Sequence, residues 1–223
     1  MRICFVSRGK LAEFLKISDG VDADLVLCGF QALGEVSFEK ELKEETRYFE
    51  QVAQLSRCMD AVVVCGCMTD AKGFKRKSAV VAERGRLLGV SDMLNALDGE
   101  VSVGASLRVY ETKLGRLGVA VAEDLYFPEI AKSLAACGSE CILCPYGRVE
   151  SGVEGVLLRA QAFCYGVPMV LCGVGYSAMA GVDGELLAAS PDSPFVQEYY
   201  GVKEYHLVET RRRGFYRPPK KEF

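Results

Sequence analysis

The chain has 223 residues, half of them apolar and 26% charged, with a net charge of −3. That suits one folded unit burying roughly 70% of its unfolded surface, and it excludes a disordered or collagen-like chain. Against ten cysteines there is one histidine, His206, which excludes most zinc enzymes and any Ser-His or Cys-His dyad not built on that residue. In chain order, Ile3–Val6 is predicted as a short strand and Leu11–Ile17 as a helical stretch. The continuous apolar run of DLVLCGF predicts a buried strand over Asp24–Phe30. Ser37 is placed to cap a helix with Glu39 and Glu41 at the positive end of its dipole. This helix is expected to run to about Arg57, with Phe38, Leu42, Phe49, Val52 and Ala53 on its buried face. Its other face, Glu39, Lys43, Glu44 and Arg47, is expected in solvent.

Asp60–Cys67 is the next predicted strand, and the segment from Lys77 to Asp92 reads as a hairpin turning at Glu83–Gly85. Strands are expected at Leu107–Thr112 and Leu117–Ala122, then a helix with Pro128 in its first turn that stops at Gly138. Cys141–Cys144 is expected as a strand ended by Pro145, and Gly152–Tyr165 as a helix. Val167–Cys172, Gly175–Gly181, Glu185–Ala189 and Tyr205–Thr210 complete the predicted strands. Hairpins mixed with βα units imply two sheets flanked by helices, a layered α/β sandwich.

The N-terminal MRICFVSRGK holds only four apolar residues between Arg2 and Ser7, too few for a signal-peptide core. The cysteines are therefore expected as reduced thiols in a cytoplasmic protein. The uncharged stretch 160–182 is broken by Gln161, Pro168 and Gly166, Gly173, Gly175 and Gly181, so no membrane span is expected. The division expected is a body over 1–210 and a basic tail over 211–223. That tail, RRRGFYRPPKKEF, carries six basic residues and one acid. An acidic body opposes polyanion binding, so nucleic acid is not the expected partner, and the tail reads as a solvated terminus.

Cysteine spacing offers two pairs, Cys65/Cys67 and Cys141/Cys144, both inside predicted strands. Residues three apart on a strand point to opposite faces, so Cys141 and Cys144 cannot converge on a metal, and these thiols read as small core residues. CGVGYSAMAG (Cys172–Gly181) lies between strands, where no phosphate cradle forms. His206 reads as a structural residue in mid-strand. No metal site and no cofactor are expected.

The most informative stretch is KLGRLGVAVAEDLYFPEIAKSLAACGSECILCP, Lys113 to Pro145. It holds a glycine-led strand, an aspartate, a Phe-Pro-Glu helix start, a glycine and a strand with proline. In that order Gly115, Gly118, Asp124, Leu125, Phe127, Pro128, Glu129, Gly138 and Pro145 resemble the central signature of the carbon–nitrogen hydrolase (nitrilase/amidase) superfamily. DLVLCGFQALGE, KSAVVAERGRLLG, Arg159-Ala160 and AGVDGELLA fall where that family has its Pro-Glu strand, hairpin, Arg-Ala helix and late turn. The resemblance implies a four-layer α-β-β-α sandwich and a homodimer or larger assembly.

It also implies a chemistry: a cysteine thiolate attacks an amide or nitrile carbon, a glutamate moves the proton and a lysine stabilises the developing charge. At the positions where the family places those groups stand Ala122 for the cysteine, Gly29 for the glutamate and Met93 for the lysine. Ala162 and Phe163 replace the family's Glu-Asn pair after Arg159-Ala160. Backbone-shaping residues are kept and the chemical ones are not, which is the pattern expected of a non-catalytic member. The expectation is a pseudoenzyme binding a small molecule in the triad-equivalent pocket, lined by Cys28, Glu123, Asp124, Tyr126 and Phe127, or serving in assembly. The alternative is an amidase with a displaced thiol nucleophile, Cys28, with Glu123 and Asp124, which follow Ala122, or Glu35, Lys75 and Lys77 on nearby loops, as stand-ins.

Overall fold

Each central strand buries both of its faces, and the two faces look into different cores. On β2 (Leu25–Cys28), Leu25 and Leu27 enter one apolar cluster while Val26 and Cys28 enter another. Side chains alternate across a strand, so a strand sandwiched between two layers reads as an unbroken apolar run. The computed structural model describes residues 1–97, 99, 101–150 and 152–201, with backbone alone at position 71. The expected strand Tyr205–Thr210, His206 and the tail 211–223 lie outside the described residues.

Sheet A contains β1 (Arg2–Val6), β2, β4 (Val62–Ala71), β5 (Phe74–Glu83), β6 (Arg86–Asp92) and β13 (Phe195–Glu198) in the order β13-β1-β2-β4-β5-β6. A short β3 (Glu35–Ser37) pairs with β4. Sheet B runs β12-β11-β10-β9-β8-β7, formed by β7 (Val109–Thr112), β8 (Gly115–Val119), β9 (Cys141–Arg148), β10 (Met169–Val174), β11 (Tyr176–Ala180) and β12 (Leu186–Ser190). The parallel strands β1, β2 and β4 of one sheet, and β8, β9 and β10 of the other, are joined through helical segments. The inter-sheet core takes Ile3, Phe5, Leu27 and Val64 from sheet A and Leu117, Val119, Leu143 and Val170 from sheet B. Outside sheet A lie α1 (Leu11–Phe14), α2 (Phe38–Leu42) and α3 (Tyr48–Cys58); outside sheet B lie α4 (Pro128–Ala136) and α5 (Val153–Tyr165). The four-layer α-β-β-α arrangement is thus present.

Several local expectations are corrected. The single helix from Ser37 to Arg57 is two helices, because Glu44 adopts a left-handed φ of 59° that no continuous helix tolerates. Ser37 does cap the first, its hydroxyl accepting from Lys40 N–H at 3.5 Å. Leu42, placed on the buried face, is 85% exposed, since the break turns it away from the core. β8 ends at Val119, not Ala122, which instead opens a 3₁₀ turn, Ala122–Tyr126. Pro145 does not end its strand: β9 continues to Arg148, and Pro145 opposes Cys172 on β10. The last β8–β9 register pair is Val119–Leu143, so at Pro145 the missing N–H interrupts no ladder with β8. Two strands escaped the sequence reading, β3 and β13; the second stacks Phe195 on Phe5 with ring centroids 4.4 Å apart.

Candidate functional site

The C-terminal ends of β1, β2, β8, β9 and β10 meet at one pole of the sandwich, and the sequence-predicted triad positions cluster there. Ala122 follows β8 with φ 51°, a left-handed conformation that costs a residue bearing a Cβ roughly 1 kcal/mol. Its side chain, 3% exposed, belongs to the inter-sheet core together with Met93, which follows β6. The turn is held by Asp124, whose carboxylate accepts from Leu94 N at 3.0 and 3.1 Å, Asn95 N at 2.9 Å and Asn95 Nδ2 at 3.2 Å. Burial pushes the Asp124 carboxyl up to about 6, and these donors oppose that rise only in part.

Glu123, one residue earlier, lies in a different setting. Its Oε1 meets Lys77 Nζ at 2.5 Å, and the two side chains are 18% and 26% exposed. Its Oε2 is buried and has no hydrogen-bond partner among the described residues. Lys77 stands on β5, not on a loop, beside Met93, whose N–H donates to the Lys77 carbonyl at 2.8 Å. Lys75, two residues earlier on the same face of that strand, pairs with Glu35 at 2.9 Å, and both of these side chains are largely exposed.

Gly29 is enclosed by backbone. A Cβ there would lie 3.1 Å from the Tyr146 carbonyl oxygen, 3.4 Å from that of Cys172 and 3.6 Å from that of Ser7. The side chain that this turn sends to the inter-sheet core is that of the next residue, Phe30, which the sequence reading did not single out. The Phe30 ring lies over Gly66, where a Cβ would come within 2.6 Å of it. Met93, Ala122 and Phe30 all join the inter-sheet core; Lys77 is tied to Met93 through the main chain and to Glu123, the residue after Ala122, through its ammonium.

Cys28 is not part of this pole's polar group. It is 0% exposed and faces the core between sheet A and its helices, opposite Cys65 in the β2–β4 register. A hydrogen bond with the Cys65 thiol, then burial, holds its own thiol well above the ordinary range, the reverse of an activated nucleophile. Tyr126 and Phe127 likewise belong to the cluster beneath α4 and α5, with Tyr126 OH donating to Glu154 Oε1 at 2.9 Å. Tyr146, which the sequence reading missed, is held strongly protonated, first by burial and then by its bond to Tyr126 and by nearby Glu123 and Glu154.

All ten cysteines are free thiols; Cys58, Cys137 and Cys164 are exposed and the other seven buried. Cys141 faces the inter-sheet core and Cys144 the helical layer, on opposite faces of β9. Among the described residues no three His, Cys, Asp or Glu side chains are placed to hold a metal, and no helix is long and apolar enough to cross a membrane.

Comparison with known proteins follows the same lines. The carbon-nitrogen hydrolase family profile matches residues 24–195. N-carbamoylputrescine amidase of Solanum tuberosum is 26% identical over 137 residues, 48% of this chain and 45% of that protein. Human deaminated glutathione amidase is 32% identical over 97 residues, 37% of this chain and 30% of that protein. The matched stretches thus span less than half of these curated relatives. Among solved structures, a double mutant of the amidase from Nesterenkonia sp. AN1 in complex with acrylamide superposes with a TM-score of 0.74 at 19% identity, covering 88% of each chain. The crystal structure of an amidase from Nesterenkonia sp. gives 0.72 at 19% identity, again over 88% of each chain. Shared fold, matched profile and the ordered turn-and-strand residues agree: this chain belongs to the carbon-nitrogen hydrolase family.

Proposed function

We propose that this chain is a nitrilase-fold protein that binds a small molecule at the Ala122 pole without hydrolysing it. The observation that carries this reading is Ala122 itself. It occupies a strained φ of 51° at the exit of β8, the family's nucleophile position, yet offers only a methyl group. The lysine-equivalent position holds buried Met93, and the glutamate-equivalent turn holds Gly29, where a Cβ would press on the Tyr146 carbonyl oxygen at 3.1 Å, and Phe30. Amidase activity is what the names of the curated relatives report, and those proteins are matched over less than half their length. A displaced Cys28 nucleophile is disfavoured, because its thiol is buried on the helical side of sheet A and kept protonated by its surroundings.

The test is ammonia release from a panel of small amides and nitriles. No turnover is expected, alongside a rise in melting temperature with at least one panel compound. Turnover that survives repurification and disappears in C28S would overturn the reading.

Self-association belongs to the same proposal. Val153, Val156 and Phe163 of α5 are 48%, 65% and 51% exposed, and Leu186 of edge strand β12 is 43% exposed. A second copy seated on this face would bury them. Sedimentation should report a dimer that V156E/F163E converts to monomer. The free thiols fit a reducing, cytoplasmic setting.

A further inference from the structure

We propose that the stretch 202–210 of this same chain, VKEYHLVET, packs into a cavity at the foot of the sandwich and closes the open end of the inter-sheet core. The cavity lies at the strand starts, the end opposite Ala122, so the proposal stands apart from what that pole binds.

The cavity has a volume of about 580 Å³. Leu114, Leu117 and Cys141 line it at the starts of β8 and β9, and Met1 and Tyr199 line it from sheet A. Leu117 and Cys141 are members of the inter-sheet core. Met1, Leu114 and Tyr199 pack against that core but are only partly buried. Apolar groups grouped around an opening favour a cover that takes them out of water.

The chain's own next residues fit that cover in position, reach and pattern. Gly201 itself lines the cavity, and its φ of 81° is a turn conformation suited to glycine, so residue 202 starts at the mouth. Facing sheets lie about 10 Å apart and an extended residue spans about 3.3 Å, so about three residues cross from sheet A to sheet B and the rest can lie along the opening. In an extended segment Tyr205 and Leu207 share one face while Glu204 and His206 share the other, an apolar side for the cavity and a polar side for water. The run that follows, Arg211–Arg213, is too charged to enter an apolar cavity, and Glu140 on the rim supplies an acid for it to meet. A tethered segment also has a high effective concentration at the mouth, an advantage that a second copy of the chain lacks.

The full-length chain carries its own reporters. Cys141 lines the cavity, whereas Cys172 lies in the same core beside Gly29 at the other end. Exposed Cys58, Cys137 and Cys164 give the reference rate for alkylation by iodoacetamide, followed by mass spectrometry of the peptides. In the native chain Cys141 should react at least about a hundredfold more slowly than those three. L207D, which puts a charge on the apolar face, should speed Cys141 by about tenfold and leave Cys172 unlabelled, while E204A, on the other face, should leave Cys141 slow. Native Cys141 labelling at the reference rate, or a Cys141 rate unchanged in L207D, would overturn the proposal. Faster labelling of native Cys141 on dilution would assign the cover to a second copy and overturn it too. Should L207D speed Cys141 and Cys172 together, the variant has lost its fold, and hydrogen exchange of the native chain decides. Amides of residues 203–208 must then exchange at least about tenfold more slowly than those of residues 212–223, and equal rates overturn the proposal.

Discussion

Glu123 and Asp124 are adjacent carboxylates that the same turn sends into opposite circumstances. Asp124 is 1% exposed and surrounded by donors from Leu94, Asn95 and the turn itself. Glu123 shares one oxygen with Lys77 and leaves the other unanswered. A carboxylate whose acceptors are all met by its own chain is holding the fold together. One left half-met beside a cation is available for something else. The difference teaches that retention of acidic residues next to Ala122 is not one fact but two.

The largest expected effect is on the structural side of the comparison. D124A leaves the N–H groups of Leu94 and Asn95 without their acceptor and should destabilise the protein by about 2–4 kcal/mol in urea unfolding. A loss below 1 kcal/mol would mean that water replaces the carboxylate and that the comparison is weaker than drawn. Next comes pH. Because burial raises the Asp124 carboxyl from 3.8 to about 6, the folded chain holds that proton more tightly than the unfolded chain. Its contribution to stability is full below 3.8, is lost as pH rises and is gone above about 6. Unfolding free energies of D124N across this window should lack that decline; an identical decline in D124N would assign it to other groups. The smallest stability effect belongs to Glu123: E123Q should change unfolding by no more than about 1 kcal/mol, since a partly exposed pair contributes little. A loss comparable to that of D124A would make Glu123 structural after all.

The layers were legible because a strand buried on both faces must be apolar throughout, as in residues 25–28, 62–65 and 141–144. The helical break at Glu44 was not, since nothing in an otherwise regular amphipathic pattern signals a left-handed residue on a solvent-facing turn. Ala122 and Met93 were singled out by the family resemblance around Asp124 and the β5–β6 hairpin, and their burial in one inter-sheet core is what the fold adds. The Gly29–Phe30 turn was harder. One residue of register decides which side chain meets the inter-sheet core, and the crowding of Gly29 comes from carbonyls at positions 7, 146 and 172. Lys77 and Glu123 are 46 residues apart in sequence, so their ion pair is visible only in three dimensions. The same holds for Cys28: its position one residue from Gly29 suggested a shared pocket, but strand alternation sends its sulfur to the other side of the sheet.

The turn at Gly29 has one more consequence. Because no side chain intervenes, Phe30 N–H donates to the Tyr146 carbonyl at 3.2 Å, a main-chain bond from sheet A to sheet B. Two sheets otherwise held by side-chain contact are thus stitched backbone to backbone at this end. At the opposite end, where Met1, Leu114, Leu117, Cys141 and Tyr199 line an open cavity of about 580 Å³, the sheets are joined instead through Lys113, which reaches Glu83 with its N–H and Asp60 with its ammonium.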